Sequence, residues 1–473
     1  MIIEKNRINP PGFGEQQVEA LNRLHKFINS KELEFTLSGY AGTGKTYLLK
    51  YFINHVCNVS VCPTAPTHKA VRVIEKVLNR KGKTLQSLHG LRPNLDIANF
   101  NISNPQFDPR GIDYIKNYKL VIIDEASMIT NDIYELNLRR AKEYGTKILY
   151  VGDPLQLPPV QRSNKESKVF SNPNQYTLTQ IMRQEEGNSL LHLFPLIRSD
   201  VINRGRLFLN HIFENRIDLT DNVGYKLLNR SLFDEELINH FSLDHIKTNL
   251  DYARVLAYTN ERVKYINKFI RSQIIEHNDE ILTQDDILTS YTTIVDEFNQ
   301  PIITNSEDYY IDSIRPYINS FEIKTYAINL RSIWTNGITN TLQVVDHTDE
   351  SFKTYYKILN HLHYTAINAH RSERSRKWVE YYKFKESMLS MINFRLNESN
   401  NNALVKKDID YGYAITVHKA QGSTFDNVFI DLQDIVYYIT HTGQLKARGD
   451  MDIVNRLIYV ALSRASNKVI LKI

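Results

Sequence analysis

Over its first 186 residues the chain alternates short apolar runs with stretches of helical period, and this pattern predicts a parallel sheet wrapped by helices. The clearest unit combines a strand at residues 35–37, a loop at residues 39–44 and a helix that begins near Lys45. Further strands are predicted at residues 59–62, 121–123 and 148–151. The first part of the chain is therefore expected to be an α/β domain.

A second α/β pattern begins at Arg254 and resumes at Tyr411, from which it runs to the C-terminus. Between these stretches, residues 281–345 alternate at period two and predict a small antiparallel β module, which is followed by a charged, aromatic-bearing helix at residues 371–386. These patterns divide the chain into three units. They are a first domain at residues 1–186, a second domain at residues 187–275 and 406–473, and an inserted module at residues 276–405 with a helical extension.

The composition agrees with three folded units, because 473 residues with 42% hydrophobic content can form several buried cores. Lys and Arg number 58 against 53 Asp and Glu, and a net charge of +5 alone does not identify a polyanionic partner. Two cysteines exclude a disulfide framework and a cysteine-based zinc site. No run approaches the roughly 20 apolar residues of a membrane span, and the N-terminus lacks a signal-peptide core. We expect an intracellular protein without a membrane partner.

The segment GYAGTGKT, which starts at Gly39, matches the phosphate-binding pattern GxxxxGK[ST] between a predicted strand and a predicted helix. Glycines allow backbone N–H groups to surround phosphate oxygens, Lys45 would reach the β and γ phosphates, and the Thr46 hydroxyl would bind Mg²⁺. The sequence therefore predicts a nucleotide site. Its candidate residues are Gly39, Gly42, Thr43, Gly44, Lys45 and Thr46.

The segment VIIDEAS places two acids at the end of a buried strand, at the sheet edge where α/β folds bind ligands. Asp124 would hold Mg²⁺, and Glu125 would act as general base on the attacking water. Two arginines, Arg183 and Arg464, could stabilise charge on the γ-phosphate, although spacing alone does not distinguish either one from a surface residue.

Five further segments follow the same order as the motifs of superfamily 1 helicases. They are TAPTHKA, GDPLQLPPV, LTQIMRQ, YAITVHKAQGSTFD and YVALSRA. Together with GYAGTGKT and VIIDEAS, they make the chain resemble the 5′ to 3′ branch, superfamily 1B, in particular its Dda-like and RecD-like members. The resemblance covers almost the whole chain. It implies two RecA-like P-loop NTPase domains with ATP and Mg²⁺ bound between them.

The resemblance also assigns roles to single residues in the nucleotide pocket. Gln17 would read adenine, although its neighbour Gln16 leaves the register open by one residue. Gln156 would sense the γ-phosphate, and Arg183 and Arg464 would be the arginine fingers. Gln421 and Gly422 would complete the pocket from the second domain.

Other motif residues are expected, by the same resemblance, to face single-stranded DNA: Thr64, Pro66, His68, Thr416 and His418. For the two histidines, a hydrogen-bonded core position remains the alternative. The insertion at residues 91–112 is the kind that forms a duplex-splitting β-hairpin pin in this family. Phe100 or Phe107 could then stack on the junction base pair, and a plain surface hairpin with a small apolar cluster is the alternative.

The inserted β module lies where relatives of this branch carry an SH3-like barrel. Its helix at residues 371–386 combines six basic residues with four aromatic ones, a composition that suits either single-stranded DNA or packing against the barrel.

The predicted function is that of an ATP-dependent DNA helicase that moves 5′ to 3′ on single-stranded DNA and unwinds duplex or forked DNA. The alternatives are a non-unwinding NTPase, a single-strand-coating protein and the motor subunit of a RecD-like nuclease complex. We expect a monomer in the cytoplasm, which for a phage protein is that of the host. A single-strand-binding protein or a replication or recombination protein is a candidate partner.

Overall fold

The structure is a computed structural model, and it describes residue 8 and residues 10–473 apart from ten internal segments. Those segments are 97–99, 103–104, 160–166, 181–189, 243–248, 276–279, 297–300, 333–336, 397–402 and residue 441.

The first α/β body is built on a six-stranded sheet in which every neighbouring pair is parallel. Its strands, in spatial order, are β3 (Lys83–Thr84), β2 (Val61–Ala65), β6 (Leu120–Ile123), β7 (Lys147–Gly152), β1 (Glu34–Gly39) and β8 (Gln175–Leu178). Strand β2 begins two residues later than predicted, because its pairing with β6 starts at Val61 opposite Leu120. The prediction of a parallel sheet in this part of the chain is confirmed.

Helices cover both faces of this sheet. They are α1 (Glu15–Asn29), α2 (Lys45–Tyr51), α3 (His68–Leu78), α4 (Leu85–Leu88) and α5 (Asn131–Tyr144). Three of them start at a threonine cap: Thr67 Oγ1 accepts from Ala70 N at 3.2 Å, Thr84 Oγ1 from Ser87 N at 3.2 Å, and Thr130 Oγ1 from Ile133 N at 3.4 Å. Helix α1 buries Leu21, Leu24 and Phe27 at helical spacing against the sheet.

The second α/β body has its own six-stranded sheet, which is parallel except at one edge. In spatial order its strands are β21 (Ala414–Thr416), β11 (Ala253–Ala257), β22 (Phe425–Asp431), β25 (Ala465–Lys472), β10 (Val223–Leu228) and β9 (Ile217–Thr220). Its helices are α6 (Leu190–Asn203), α7 (Leu207–Glu214), α8 (Arg230–His240), α9 (Asn260–Ile274), α12 (Leu432–Val436) and α13 (Met451–Leu462). Leu155 and Leu157, which follow β7, pack into the core of this second body.

The antiparallel module is a five-stranded sheet inserted between the strands of the second body. Its order is β17 (Leu342–Val345), β16 (Lys324–Ser332), β15 (Asp308–Ile318), β12 (Ile287–Ser290) and β20 (Ile409–Tyr411). The predicted antiparallel pattern is confirmed, while closure into an SH3-like barrel stays a prediction. The domain division needs one correction: residues 409–411 pair with β12 and so belong to this module rather than to the second α/β body.

Two helices, α10 (Phe352–Ile367) and α11 (Arg371–Ser387), pack together beside the antiparallel module. The helix predicted at residues 371–386 is thus present. Its aromatic side chains Trp378, Tyr381 and Phe384 are buried. Burial of these rings favours the packing interpretation of this helix over a DNA-stacking one.

Three short hairpins and one further two-stranded pair complete the strands. They are β4 (Leu91–Pro93) with β5 (Phe107–Pro109), β13 (Ile294–Val295) with β14 (Pro301–Ile303), β18 (Phe394–Leu396) with β19 (Ala403–Val405), and β23 (Tyr437–Ile439) with β24 (Leu445–Ala447). Within the described ranges, none of the helices is long and apolar enough to cross a bilayer.

A buried ionic network joins the three bodies. Asp308 on β15 accepts from Arg254 of the second body at 3.0 Å, contacts Lys69 on α3 at 3.4 Å, and accepts from the Thr289 hydroxyl. Burial alone would raise the pKa of Asp308, but Arg254 and Lys69 outweigh it and hold that pKa at about 2.

Replacing Asp308 by Ala should lower the free energy of unfolding by about 3–5 kcal/mol, because Arg254 and Lys69 would stay buried without their carboxylate. Since the folded pKa lies below the unfolded value of about 4, this stabilisation is present above that pH and is lost as pH falls towards 2. Urea unfolding midpoints at several pH values would measure it. The control is Asp312→Ala. Asp312 lies on β15, as Asp308 does, but it is partly exposed and pairs with Arg331. Equal midpoints for both variants would contradict the prediction.

Candidate functional site

The loop between β1 and α2 has the tight backbone that phosphate binding requires. Gly42 and Gly44 have φ angles of +82° and +77°, in the left-handed region that favours glycine. A Cβ on Gly39 would lie 2.8 Å from Thr43 Oγ1. Side chains at these three positions would strain the backbone or fill the loop. The loop therefore requires glycine at each of them.

A cavity of about 440 Å³ opens beside this loop. Its lining residues are Gly12, Gln17, Gly42, Gly44, Lys45, Thr46 and Tyr47. Tyr47, whose ring lies 5.0 Å from that of Phe13, is an aromatic lining residue that was not predicted from the sequence. The available signal was an aromatic residue directly after the GKT triplet.

The structure distinguishes between the two adjacent glutamines. Gln17 lies in the cavity wall, where its amide accepts from Gly14 N at 3.3 Å and donates to Thr43 O at 3.4 Å. Gln16 instead accepts from the backbone N–H of Thr179 and of Gln180. The side chain of Gln16 is therefore hydrogen-bonded to the backbone that follows β8. Of the two glutamines, Gln17 is the one that lies beside the loop.

Lys45 turns back onto the loop that precedes it. Its Nζ donates to Gly39 O at 2.6 Å and to Tyr40 O at 2.9 Å. Burial lowers the pKa of Lys45, and the nearby carboxylates of Asp153, Asp124 and Glu125 oppose that shift. An ammonium group surrounded by acids and carbonyl oxygens is well placed to exchange these partners for phosphate oxygens.

Asp124 and Glu125 stand at the carboxyl end of β6, as predicted. Glu125 has a φ of +53°, an uncommon conformation for a non-glycine residue. Burial and the neighbouring Asp124 raise the pKa of Glu125 to about 7, while Arg464 and Lys45 act to lower it. Burial also raises the pKa of Asp124, whose carboxylate accepts from Glu125 N at 2.9 Å.

The donor set around the loop fits Mg²⁺. In the part of the chain that the structure describes, there is no cluster of three or more His, Cys, Asp or Glu side chains that could hold a metal. Mg²⁺ needs no such cage, because it keeps several waters and takes one or two protein oxygens plus phosphate oxygens. The hydroxyl of Thr46 and the carboxylate of Asp124 supply oxygens of that kind.

The second body contributes Arg464, which is buried at the start of the final strand region. Its guanidinium donates to Ser423 O and Val460 O, each at 3.2 Å. It lies near enough to Glu125 and Lys45 to lower the pKa of both. The other predicted finger, Arg183, lies outside the described residues.

Two buried glutamines have unused hydrogen-bonding atoms. Neither Gln156 Oε1 nor Gln421 Nε2 has a hydrogen-bond partner among the described residues. A buried polar atom without a partner is costly and often marks a ligand site. Gly422 is not among the residues that line the cavity beside the loop, and its role in the pocket stays a prediction. Its φ is +74°, and a Cβ there would meet Ala70 Cβ at 3.3 Å, so it lies at a contact between α3 and the second body.

Tyr459 on α13 connects the two α/β bodies at the nucleotide loop. Its hydroxyl donates to Asp153 Oδ2 at 2.5 Å and accepts from Ala41 N at 3.0 Å. On the same helix, Arg456 donates to Pro154 O at 2.7 Å. The sequence analysis missed Asp153, Tyr459 and Arg456, although the first two lie within the GDPLQLPPV and YVALSRA segments.

The residues predicted to face DNA follow the carboxyl ends of strands in both bodies. Pro66 and His68 come after β2, and Thr416 ends β21, two residues before His418. Burial lowers the pKa of both histidines, which favours their neutral forms at pH 7. Thr64 needs a correction: it is fully buried and its hydroxyl donates to Cys62 O at 3.4 Å, so its side chain contacts the sheet and not the surface.

The insertion at residues 91–112 forms a hairpin at its base, and its role as a pin stays a prediction. Its two aromatic residues differ. Phe100 is only 3% exposed and lies 4.7 Å from the ring of Trp378, so it anchors the insertion to α11 and cannot stack on a base pair in this arrangement. Phe107 is 48% exposed.

Comparison with known proteins gives matches at both ends of the chain. Residues 13–208 match the family model of the AAA domain, and residues 411–472 match that of the UvrD-like helicase C-terminal domain. The ATP-dependent DNA helicase dda of Enterobacteria phage T4 is 23% identical over 95% of this chain and 97% of its own. Over nearly its whole length the chain is therefore similar to an ATP-dependent DNA helicase.

Two other relatives are similar to most of the chain. The uncharacterized protein R530 of Acanthamoeba polyphaga mimivirus is 24% identical over 96% of this chain and 99% of its own. The ATP-dependent DNA helicase Pif1 of Campylobacter jejuni is 26% identical over 92% and 88% of the two chains. A solved Pif1 helicase structure from Bacteroides, in complex with ADP-AlF3 and ssDNA, has a TM-score of 0.49 and 18% identity, over 96% of this chain and 91% of that one.

Proposed function

We propose that this protein is a superfamily 1B helicase that hydrolyses ATP to move 5′ to 3′ along single-stranded DNA and to separate duplex DNA. One observation carries the proposal. Arg464 of the second body approaches Lys45 and Glu125 of the first, so a nucleotide bound at the loop is contacted from both bodies. The relatives dda and Pif1, both named as ATP-dependent DNA helicases, support the same activity.

The base of ATP would lie against Gln17 and Tyr47, and its phosphates would follow the loop to Lys45. Mg²⁺, held by Thr46 and Asp124, would neutralise charge on the phosphates. Glu125 accepts a proton from the attacking water, and Arg464 stabilises the charge that develops on the transferred phosphoryl group.

The same sheet edges carry the residues assigned to DNA. Pro66 and His68 follow β2 of the first body, while Thr416 and His418 follow β21 of the second. Asp153 and Tyr459 already join the two bodies beside the nucleotide loop, so binding and hydrolysis at the loop would act on both bodies and shift the two sets of strand-contacting residues relative to one another. Each hydrolysis cycle then advances the protein along the strand.

Duplexes that carry only a 5′ or only a 3′ single-stranded tail test activity and direction together. The expected result is ATP-dependent unwinding of the 5′-tailed substrate alone, and none by a Lys45→Ala variant. Unwinding of only the 3′-tailed duplex would overturn the direction. DNA-stimulated ATP hydrolysis without unwinding of either substrate would instead favour a non-unwinding NTPase.

Replacing the exposed Phe107 by Ala should slow duplex unwinding about 5- to 100-fold, since base–aromatic stacking is worth about 1–3 kcal/mol. Single-strand translocation and DNA-stimulated ATPase should continue, because Phe107 lies in no nucleotide motif. The control is Ile112→Ala, an exposed apolar residue of the same insertion without a ring. If both variants unwind a 5′-tailed duplex at the parent rate, strand separation belongs elsewhere on the protein.

A further inference from the structure

The hairpin of β23 and β24 projects from the second body and belongs to none of its apolar cores. All six residues of the two strands are exposed. The chain reverses through Gly443, which has a φ of +77°, and Thr440 N donates to Gln444 O at 2.8 Å. No site described above uses this hairpin, although it carries two tyrosines and two cations.

The register of the hairpin separates its side chains into two faces. Tyr438 pairs with Lys446, and Arg448 N continues the ladder by donating to Val436 O at 2.9 Å. Opposed residues of an antiparallel pair share a face, so Tyr438, Lys446 and Arg448 lie on one side, here called the basic face. The opposite side carries Tyr437, Ala447, Ile439 and Leu445, here called the apolar face.

The basic face is continuous with the motif residues of the second body. The guanidinium carbon of Arg448 lies 4.5 Å from the centre of the Tyr258 ring and 5.8 Å from that of Tyr438. The Tyr258 ring in turn lies 6.0 Å from that of His418. Aromatic rings and a guanidinium thus form a ladder from His418 out to the exposed Tyr438.

Charge along this segment has one sign. Residues 437–449 contain Lys446 and Arg448 and have no Asp or Glu. The side chain of Lys446 is exposed, whereas that of Arg448 is partly exposed and donates Nη2 to the backbone oxygen of Asp434 at 3.1 Å. Rings beside cations are the combination that single strands bind, because bases stack on the rings and phosphates contact the cations.

We propose that the basic face of this hairpin is a binding surface for single-stranded DNA that extends the strand path beyond His418. A base stacks on Tyr438, and Lys446 and Arg448 contact the adjacent phosphates. This inference rests on the proposed function, since it concerns the same DNA strand. It adds a contact that no helicase motif of the chain contains.

Labelled oligo-dT of about 8 and about 24 nucleotides tests this surface, because the longer strand can occupy the motif residues and the hairpin at the same time, whereas the shorter one makes fewer contacts. Binding is measured by fluorescence anisotropy at several salt concentrations. Tyr438→Ala should weaken binding of the longer strand at least about fivefold. Lys446→Ala should reduce the slope of log affinity against log salt by about 0.7, the value for one phosphate contact of a single strand.

The matched controls are Tyr437→Ala and Ile439→Ala, which alter the apolar face of the same two strands and should bind both oligonucleotides as the parent does.

Photo-crosslinking of the parent with 5-iodouracil in the longer strand should label the peptide that contains Tyr438. If the parent ATPase is stimulated by DNA but Tyr438→Ala and Lys446→Ala bind the longer strand normally, the hairpin inference is wrong and the proposed function stands. The inference would also be overturned if variants of the apolar face and variants of the basic face lost the same affinity for the longer strand. A parent protein that binds neither oligonucleotide would overturn both proposals.

Discussion

Replacing Arg464 by Ala should lower the turnover number for ATP about 10³-fold or more, while ATP affinity falls only modestly. An arginine that acts on charge developing in phosphoryl transfer contributes about 10³- to 10⁵-fold to turnover. Arg464 is the candidate for that role because its positive charge, from the opposite body, lowers the pKa of both Glu125 and Lys45. Steady-state ATPase rates with single-stranded DNA, together with binding of a fluorescent ATP analogue, measure the two quantities separately.

A structural role for Arg464 has a different signature. Its guanidinium donates to Ser423 O and Val460 O, so the Ala variant could lose stability instead of catalysis. Arg464→Lys separates the roles, because it keeps a positive charge but not the planar set of donors. Arg139→Ala, on an exposed position of α5, serves as the control. An unchanged turnover number with a lowered unfolding midpoint would make Arg464 structural.

The sequence predicted those parts of the site whose signals are local. The loop needs glycine at Gly42 and Gly44 because the backbone itself turns left-handed there, and that requirement is written in consecutive residues. The position of Asp124 and Glu125 likewise follows from one buried strand that ends in two acids. The order of the seven motifs along the chain was enough to predict the resemblance to superfamily 1B helicases.

Contacts between distant segments could not be predicted in this way. Phe100 is buried only because Trp378, on a helix of the inserted module, lies against it. Strand β20 pairs with β12 across more than 100 residues, and nothing in its three residues distinguishes that sheet from the neighbouring parallel one. The hydroxyl of Tyr459 reaches Asp153 across the boundary of two bodies. Such pairs depend on how the bodies pack against one another. The spacing of hydrophobic residues within one helix or strand carries no information about that packing.

Replacing Glu125 by Gln should lower ATP turnover about 10²- to 10⁴-fold while ATP still binds, because the amide keeps the shape of the side chain but cannot accept a proton. Burial and Asp124 raise the pKa of Glu125 to about 7. Since the carboxylate is the active form, kcat/KM of the parent should fall as pH drops below about 7, and the variant should lose this acid limb. Rates of ATP hydrolysis between pH 5.5 and pH 9, at saturating single-stranded DNA, would measure both effects.

Two comparisons decide whether Glu125 is the base. Lys45→Ala should lose ATP affinity together with turnover, since it removes the cation that meets the phosphates, and so should differ from Glu125→Gln in the binding measurement. Glu135 is an exposed residue of α5 that pairs with Lys168, and the Glu135→Gln variant should retain both the parent rate and the parent pH profile. If Glu125→Gln hydrolyses ATP at the parent rate, or keeps the acid limb near pH 7, proton transfer must be assigned to another group. Asp153 would then be the first candidate, because it is a buried carboxylate near Lys45 whose pKa is raised by burial and, unlike Asp124, it has no assigned role in holding Mg²⁺.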